Sequence, residues 1–189
     1  MDSVGTRPLA VLDCNIFISA TLLTGPPFSL HALMQRYTYK IRNNNEVSQS
    51  ALALLAAFAT VSTIRYCISN HILHTTCYKL MTDGEWEEGE ANEFITIITE
   101  NLIYQSQGFL IQPVVEGWVR MGDHEDALVY NTCQQAANIA NCSTILVTAD
   151  KDFRQRISDT INRGAPYDRV VTVSPTVFIQ NITKFARQF

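Results

Sequence analysis

Short apolar runs alternate with longer, helix-patterned stretches along nearly the whole chain, and that alternation restricts the fold more than any other feature. Leu9–Leu12 is apolar and ends on Asp13, as a buried parallel strand does. Thr63–Ile68 is rich in β-branched residues, Thr144–Thr148 reads TILVT, and Arg169–Val173 is a last strand. Phe109–Val115 reads either as a strand or as an irregular crossing. Between these runs lie helical patterns. Asn15 is placed to cap the first, with Ile16, Phe17, Ala20 and Leu23 on its apolar positions. Further helices are expected over Phe28–Tyr37, Val47–Ala59, Ser69–Met81, Trp86–Tyr104, Asp123–Ala140, Asp150–Ser158 and Pro175–Phe185. Gly25-Pro26-Pro27, the polar loop Arg42–Glu46 and the turn Thr82–Gly84 punctuate them. Such alternation predicts a three-layer α/β/α fold with a central parallel sheet of four or five strands.

The 189 residues suit one domain. Residues 1–8 read as a loose tail and residues 9–189 as the domain. With 47% apolar and 17% charged residues, the chain can fill a core. The longest apolar stretch, Ala51–Val61, is shorter than the ~20 residues a membrane span needs. Met1–Pro8 lacks the basic-then-apolar pattern of a signal peptide. A soluble, cytoplasmic protein with no membrane partner is expected. The five cysteines have no zinc-knuckle spacing and read as reduced thiols.

Net charge is −4, unevenly spread. The segment Asp83–Asp126 holds 11 of the 18 acids, and 7 of the 14 bases lie from Lys151 onward. This division suits one face for a metal or a basic partner and another for phosphates, although a solvated mixed surface also explains it.

Three carboxylates stand at strand ends or helix starts: Asp13, Asp126 and Asp150. Ligands of open α/β sheets bind where strands end, so these three can converge. Converging carboxylates suit a hard cation such as Mg²⁺. Each also has an ordinary reading. Asp123 fits an N-cap with Asp126 in its capping-box position. Asp150 fits another N-cap, and Asp152 lies in the first turn that follows it. Asp13 is the exception, because a carboxylate closing an apolar strand is costly unless it is paired, hydrogen-bonded or metal-bound.

The segments VLDCNIFISA (residues 11–20), DHEDALVY (123–130) and ILVTADKDF (145–153), in this order and spacing, resemble the PIN domain family, and within it the VapC-like toxins. The resemblance covers about residues 9–175. It implies a PIN-like fold and a ribonuclease using Mg²⁺ or Mn²⁺, held by Asp13, Asp126 and Asp150. It makes Asn15, Thr148 and Asp152 accessory residues. It also implies an antitoxin partner that places a basic side chain in the acidic pocket, and a homodimer. Relatives usually carry an acid in the helix after the second strand. Here that stretch reads Ser69-Asn70-His71-Ile72-Leu73-His74-Thr75-Thr76, and His74 or Thr75 takes the acid's place. His74 is therefore a further accessory candidate, better suited to Mn²⁺ than to Mg²⁺. His71 and His74 also read as ordinary polar surface.

Lys151, Arg154 and Arg156 follow the third motif closely and are candidates to grip an RNA backbone. Trp86 and Trp118 could stack bases, although a core role accounts for both. A phosphatase of the haloacid dehalogenase type also begins with a strand-ending Asp. It needs a second Asp two residues later, where this chain has Asn15. A catalytically weak or inactive PIN-like module that binds RNA is the remaining alternative.

Overall fold

The computed structural model describes residues 7–40, 45–113, 123–162 and 169–185. Among the described residues the strands are β1 (Leu9–Leu12), β2 (Arg65–Ser69), β3 (Leu110–Ile111), β4 (Thr144–Val147) and β5 (Val170–Val173). They form one parallel sheet in the order β3-β2-β1-β4-β5. The helices are α1 (Cys14–Thr24), α2 (Leu30–Lys40), α3 (Glu46–Ala59), α4 (Asn70–Thr82), α5 (Glu88–Ile98), α6 (His124–Ala140), α7 (Lys151–Asn162) and α8 (Pro175–Phe185). Helix α5 runs on into a π-helical segment, Thr99–Tyr104. The architecture is the three-layer α/β/α arrangement expected from the strand–helix alternation.

Chain order steps outward from β1 to β2 and β3, then jumps back to β4 and on to β5. The direction of winding therefore reverses between β1 and β4. Right-handed crossovers then place the connections before and after that reversal on opposite faces. Helix α1 packs on α3 and α4, and α3 on α8, while α6 lies against β1, β2 and β4. Every residue of β1 and β4 is buried, which is why both read as unbroken apolar runs. Among the described residues, no helix is long and apolar enough to cross a membrane.

Several boundaries differ from expectation for local reasons. The first helix begins at Cys14, and its cap is Asp13, not Asn15. The Asp13 amide is still bound to the Val147 carbonyl at 3.0 Å, so the chain turns directly from strand to helix. Asn45 caps α3, its Oδ1 accepting from the Ser48 amide at 2.8 Å, and Ser69 caps α4 as expected. Trp86 is a core residue: its ring meets Phe94 edge-on at 6.1 Å, beside Phe17 and Phe28. Trp118, residues 1–6 of the expected tail and residues 42–44 of the expected polar loop lie outside the described residues. All five cysteines are free thiols, with Cys67 and Cys133 buried.

Strand β3 is short, and the segment before it is attached to β2 outside the ladder. The buried Ser106 hydroxyl accepts from the Tyr66 amide at 2.9 Å and donates to the Ile103 carbonyl at 2.9 Å. Gly108 follows, bonding back to Ile103. A Cβ at Gly108 would stand 1.7 Å from the Tyr66 carbonyl oxygen, whereas one at Gly89 would meet nothing within 4 Å. Gly108→Ala should therefore destabilise the protein by about 1–3 kcal/mol through a forced backbone shift. Gly89→Ala, on an open helix surface, should be neutral or stabilising by up to about 1 kcal/mol. Urea unfolding of the two variants checks this, and equal midpoints would show that the backbone approach at Gly108 relaxes freely.

Candidate functional site

The reversal of winding places the ends of β1 and β4 side by side, where an open parallel sheet forms its crevice. Asp13 ends β1, and Thr148, Ala149 and Asp150 follow β4. The Asp13 side chain is buried, and both its oxygens are occupied. Oδ1 accepts from the Cys14 amide at 2.7 Å. Oδ2 accepts from the Asn15 amide group at 2.7 Å and from the Thr148 hydroxyl at 2.6 Å. Asn15 also donates to Thr148 Oγ1 at 3.0 Å and accepts from the Ala149 amide at 3.2 Å. Thr148 Oγ1 accepts from the Asp150 amide at 3.1 Å. One hydroxyl thus links the two motifs, although they lie 135 residues apart in the chain.

Asp13, Asp126 and Asp150 line one cleft of about 200 Å³, together with Asn15, Asp123 and Glu125. Asp126 and Glu125 come from the first turn of α6, which Asp123 caps by accepting from the Glu125 amide at 2.8 Å. Asp126 does not complete the expected capping box. Its carboxylate is turned instead to the Arg156 guanidinium of α7. Asp150 spends Oδ1 on the Phe153 amide at 2.8 Å, as a helix cap.

The other expected residues separate. Thr148 and Asn15 belong to the hydrogen-bonded junction. Asp152 is exposed and lines an adjoining groove with Glu46 and Lys151. His74 is exposed and outside the cleft wall, which α4 supplies through His71, Ile72 and Thr75. Lys151 is exposed at the neighbouring grooves. Arg154 is partly occupied, donating to the Thr148 carbonyl, and Arg156 is occupied by Asp126. Sequence reasoning missed Glu125 and His71 as wall residues. Glu125 carries a signal in hindsight, since it sits between two acids in a helix's first turn. The choice among His71, His74 and Thr75 depends on which side of α4 packs toward the cleft.

The electrostatics follow from burial and crowding. Burial raises the Asp13 carboxyl above its ordinary value of 3.8; hydrogen bonds from Thr148 and Cys14 oppose this, and the Asp126 charge adds to it. Burial likewise raises Asp126, against the pull of Arg156, while the charges of Asp123 and Asp150 push it further up. Cys14 is no candidate nucleophile, because burial and the Asp13 charge raise its thiol far from thiolate formation. Burial lowers the His71 imidazole, which favours its neutral, ligating form. A larger cavity, about 770 Å³, lies apart from these groups between α2, α3 and α8. It is apolar, and its polar members His31 and Gln35 bond each other at 2.8 Å.

The donor chemistry fits Mg²⁺ or Mn²⁺: carboxylates predominate, with an amide beside them and an imidazole across the cleft. The side chains are not yet gathered as ligands. Among the described residues, no three His, Cys, Asp or Glu side chains form a ready ligand set. Helix capping occupies Oδ1 of Asp150 and the Arg156 pair occupies Oδ2 of Asp126, so part of each carboxylate is already committed.

A raised carboxyl has a definite consequence for stability. Between 3.8, the unfolded value, and the higher folded value of Asp13, the native protein holds a proton that the unfolded chain has released. Asp13 therefore favours folding increasingly as pH falls through that window. In divalent-free buffer, the melting temperature of the parent should rise relative to that of Asp13→Asn as pH is lowered from about 8 toward about 4. A constant difference across that range would mean that Asp13 has an ordinary pKa.

No protein-family model, no curated protein and no solved structure matches this chain.

Proposed function

We propose that the chain is a Mg²⁺- or Mn²⁺-dependent endoribonuclease of PIN-like design, acting in the cytoplasm. The observation that carries this reading is the meeting of Asp13, Asp126 and Asp150 in one cleft at the point where the sheet reverses its winding. The chemistry such an ion supplies when bound is acidification of water and neutralisation of phosphate charge. Asp13, Asp126 and Asp150 would hold it, with Glu125 at the rim. Asn15 and Thr148 orient Asp13 and keep its oxygens aimed along fixed lines. Lys151, exposed on the groove that adjoins the cleft, would supply a positive charge to a backbone phosphate. An acidic pocket of this kind also suits a partner protein that inserts a basic side chain, as the antitoxins of VapC-like toxins do, and the resemblance extends to a homodimer.

A second reading has its own observation. The α4 wall offers His71 and Thr75 where an acid is expected, and Asp126 is already paired. That arrangement suits a module that binds RNA without cutting it.

Incubation of the protein with mixed single-stranded RNAs, with Mg²⁺, with Mn²⁺ and with chelator, tests the first reading. Cleavage should depend on the divalent ion. Asp13→Asn should lower it by a factor on the order of 10³ or more, because the groups of a shared site fail together. Asp126→Asn and Asp150→Asn should act in the same direction. RNA retention without turnover under every ion condition would favour the binding module, and cleavage undiminished in Asp13→Asn would sink the site assignment.

A further inference from the structure

Arg156 stands out because it is placed among acids and yet is incompletely bonded. Its terminal nitrogen donates to Asp126 Oδ2. Its charge also interacts with Asp150 and Asp152. Its Nε–H is buried and has no hydrogen-bond partner. A guanidinium that settles permanently on a carboxylate commonly uses its planar fork, with two parallel donors. Here one donor is engaged and another is orphaned. The side chains of the pair are 38% and 17% exposed for Arg156 and Asp126. The pair is thus partly exposed and held through a single donor, without the second parallel bond that fixes a fork in place.

The position matters as much as the bonding. Asp126 feels the charges of Asp123 and Asp150 as well as that of Arg156, and Asp13 feels Asp126. Arg156 is therefore a positive charge that offsets the mutual repulsion of the cleft acids. It comes from α7, the helix that Asp150 caps. Its partner lies 30 residues earlier in the chain, on α6.

We infer that Arg156 is a built-in counter-ion, which holds Asp126 while the cleft lacks a divalent cation and is displaced from it when one binds. The inference rests on the reading of the cleft as a cation site. It gives Arg156 a role different from simple RNA gripping: the chain carries its own competitor for the metal. Cation binding then costs the release of an internal ion pair and leaves the guanidinium free to meet an anionic ligand.

The test measures Mn²⁺ binding directly, by the electron paramagnetic resonance signal of free Mn²⁺ and by calorimetry, on the full chain without RNA. Arg156→Gln removes the competing charge and keeps a polar side chain. It should bind Mn²⁺ about tenfold tighter than the parent, comparable to the effect of one nearby charge on proton affinity. Arg156→Lys keeps the charge without the planar fork and should fall between them. It also supplies the comparison if the glutamine variant folds poorly. Asp126→Asn should cost more Mn²⁺ affinity in the Arg156→Gln background than in the parent, because only there is Asp126 fully available. If the parent binds Mn²⁺ and Arg156→Gln binds it equally or more weakly, the counter-ion role is overturned and the cation site stands. If parent and variants alike fail to bind Mn²⁺, the cation site itself falls, and the inference with it.

Discussion

A buried carboxylate at the point where the sheet changes direction is the constraint on which the rest of this structure depends. Removing Asp13 from water is costly unless its oxygens are met, and the surrounding chain is arranged to meet them. The α1 amide at Cys14, the Asn15 side chain and the Thr148 hydroxyl each supply a donor. The same contacts fix the start of α1 and the exit of the chain from β4. Thr148 receives the Asp150 amide in turn, so the cap of α7 is tied to the same junction. The rise of the Asp13 carboxyl above its ordinary value shows that these donors do not offset burial completely.

The cleft acids also stand at helix N-termini. Asp13 precedes α1, Asp126 lies in the first turn of α6, and Asp150 precedes α7. The partial positive ends of three helices therefore face one acidic cluster and offset part of its repulsion. That helps explain how a fold can hold several carboxylates together without unfolding itself. It also sets a limit, because each acid used for capping has one oxygen fewer for anything else. Asp150 is the plainest case, with Oδ1 committed to the Phe153 amide. Structural and chemical duties meet in the same side chains, which is why single carboxylates in the sequence admit both readings.

The parts legible in the sequence are those written locally. The buried runs of β1 and β4, the cap of α4 at Ser69 and the cap of α6 at Asp123 depend on neighbours in the chain. The strand–helix alternation is local in the same sense, and it leads to the layered parallel fold. Strand β3 is harder to read, because its attachment runs through a buried serine and a glycine outside the strand. Asn15 resembles a helix cap by residue type, but Asp13 takes that duty and Asn15 bridges two strands' ends. The pairing of Asp126 with Arg156 has no local signature, since nothing near either residue specifies the other. The wall of α4 is set by how the helix packs in three dimensions: His71, Ile72 and Thr75 line the cleft and the exposed His74 does not, a choice that spacing along the chain does not make.

The hydrogen bonds that extend the sheet past its strands separate rigid from adjustable parts of the cleft. The Asp13 amide bonds to Val147, and the Thr148 amide bonds to Val173 at 3.2 Å. Both amides directly follow β1 and β4, whose residues are all buried. Their protons belong with those that exchange with solvent only when the whole domain opens. The floor of the cleft thus belongs to the sheet, and what can adjust there is side-chain rotation. Asp126 and Arg156 both stand on helices, and the pair they form involves no strand.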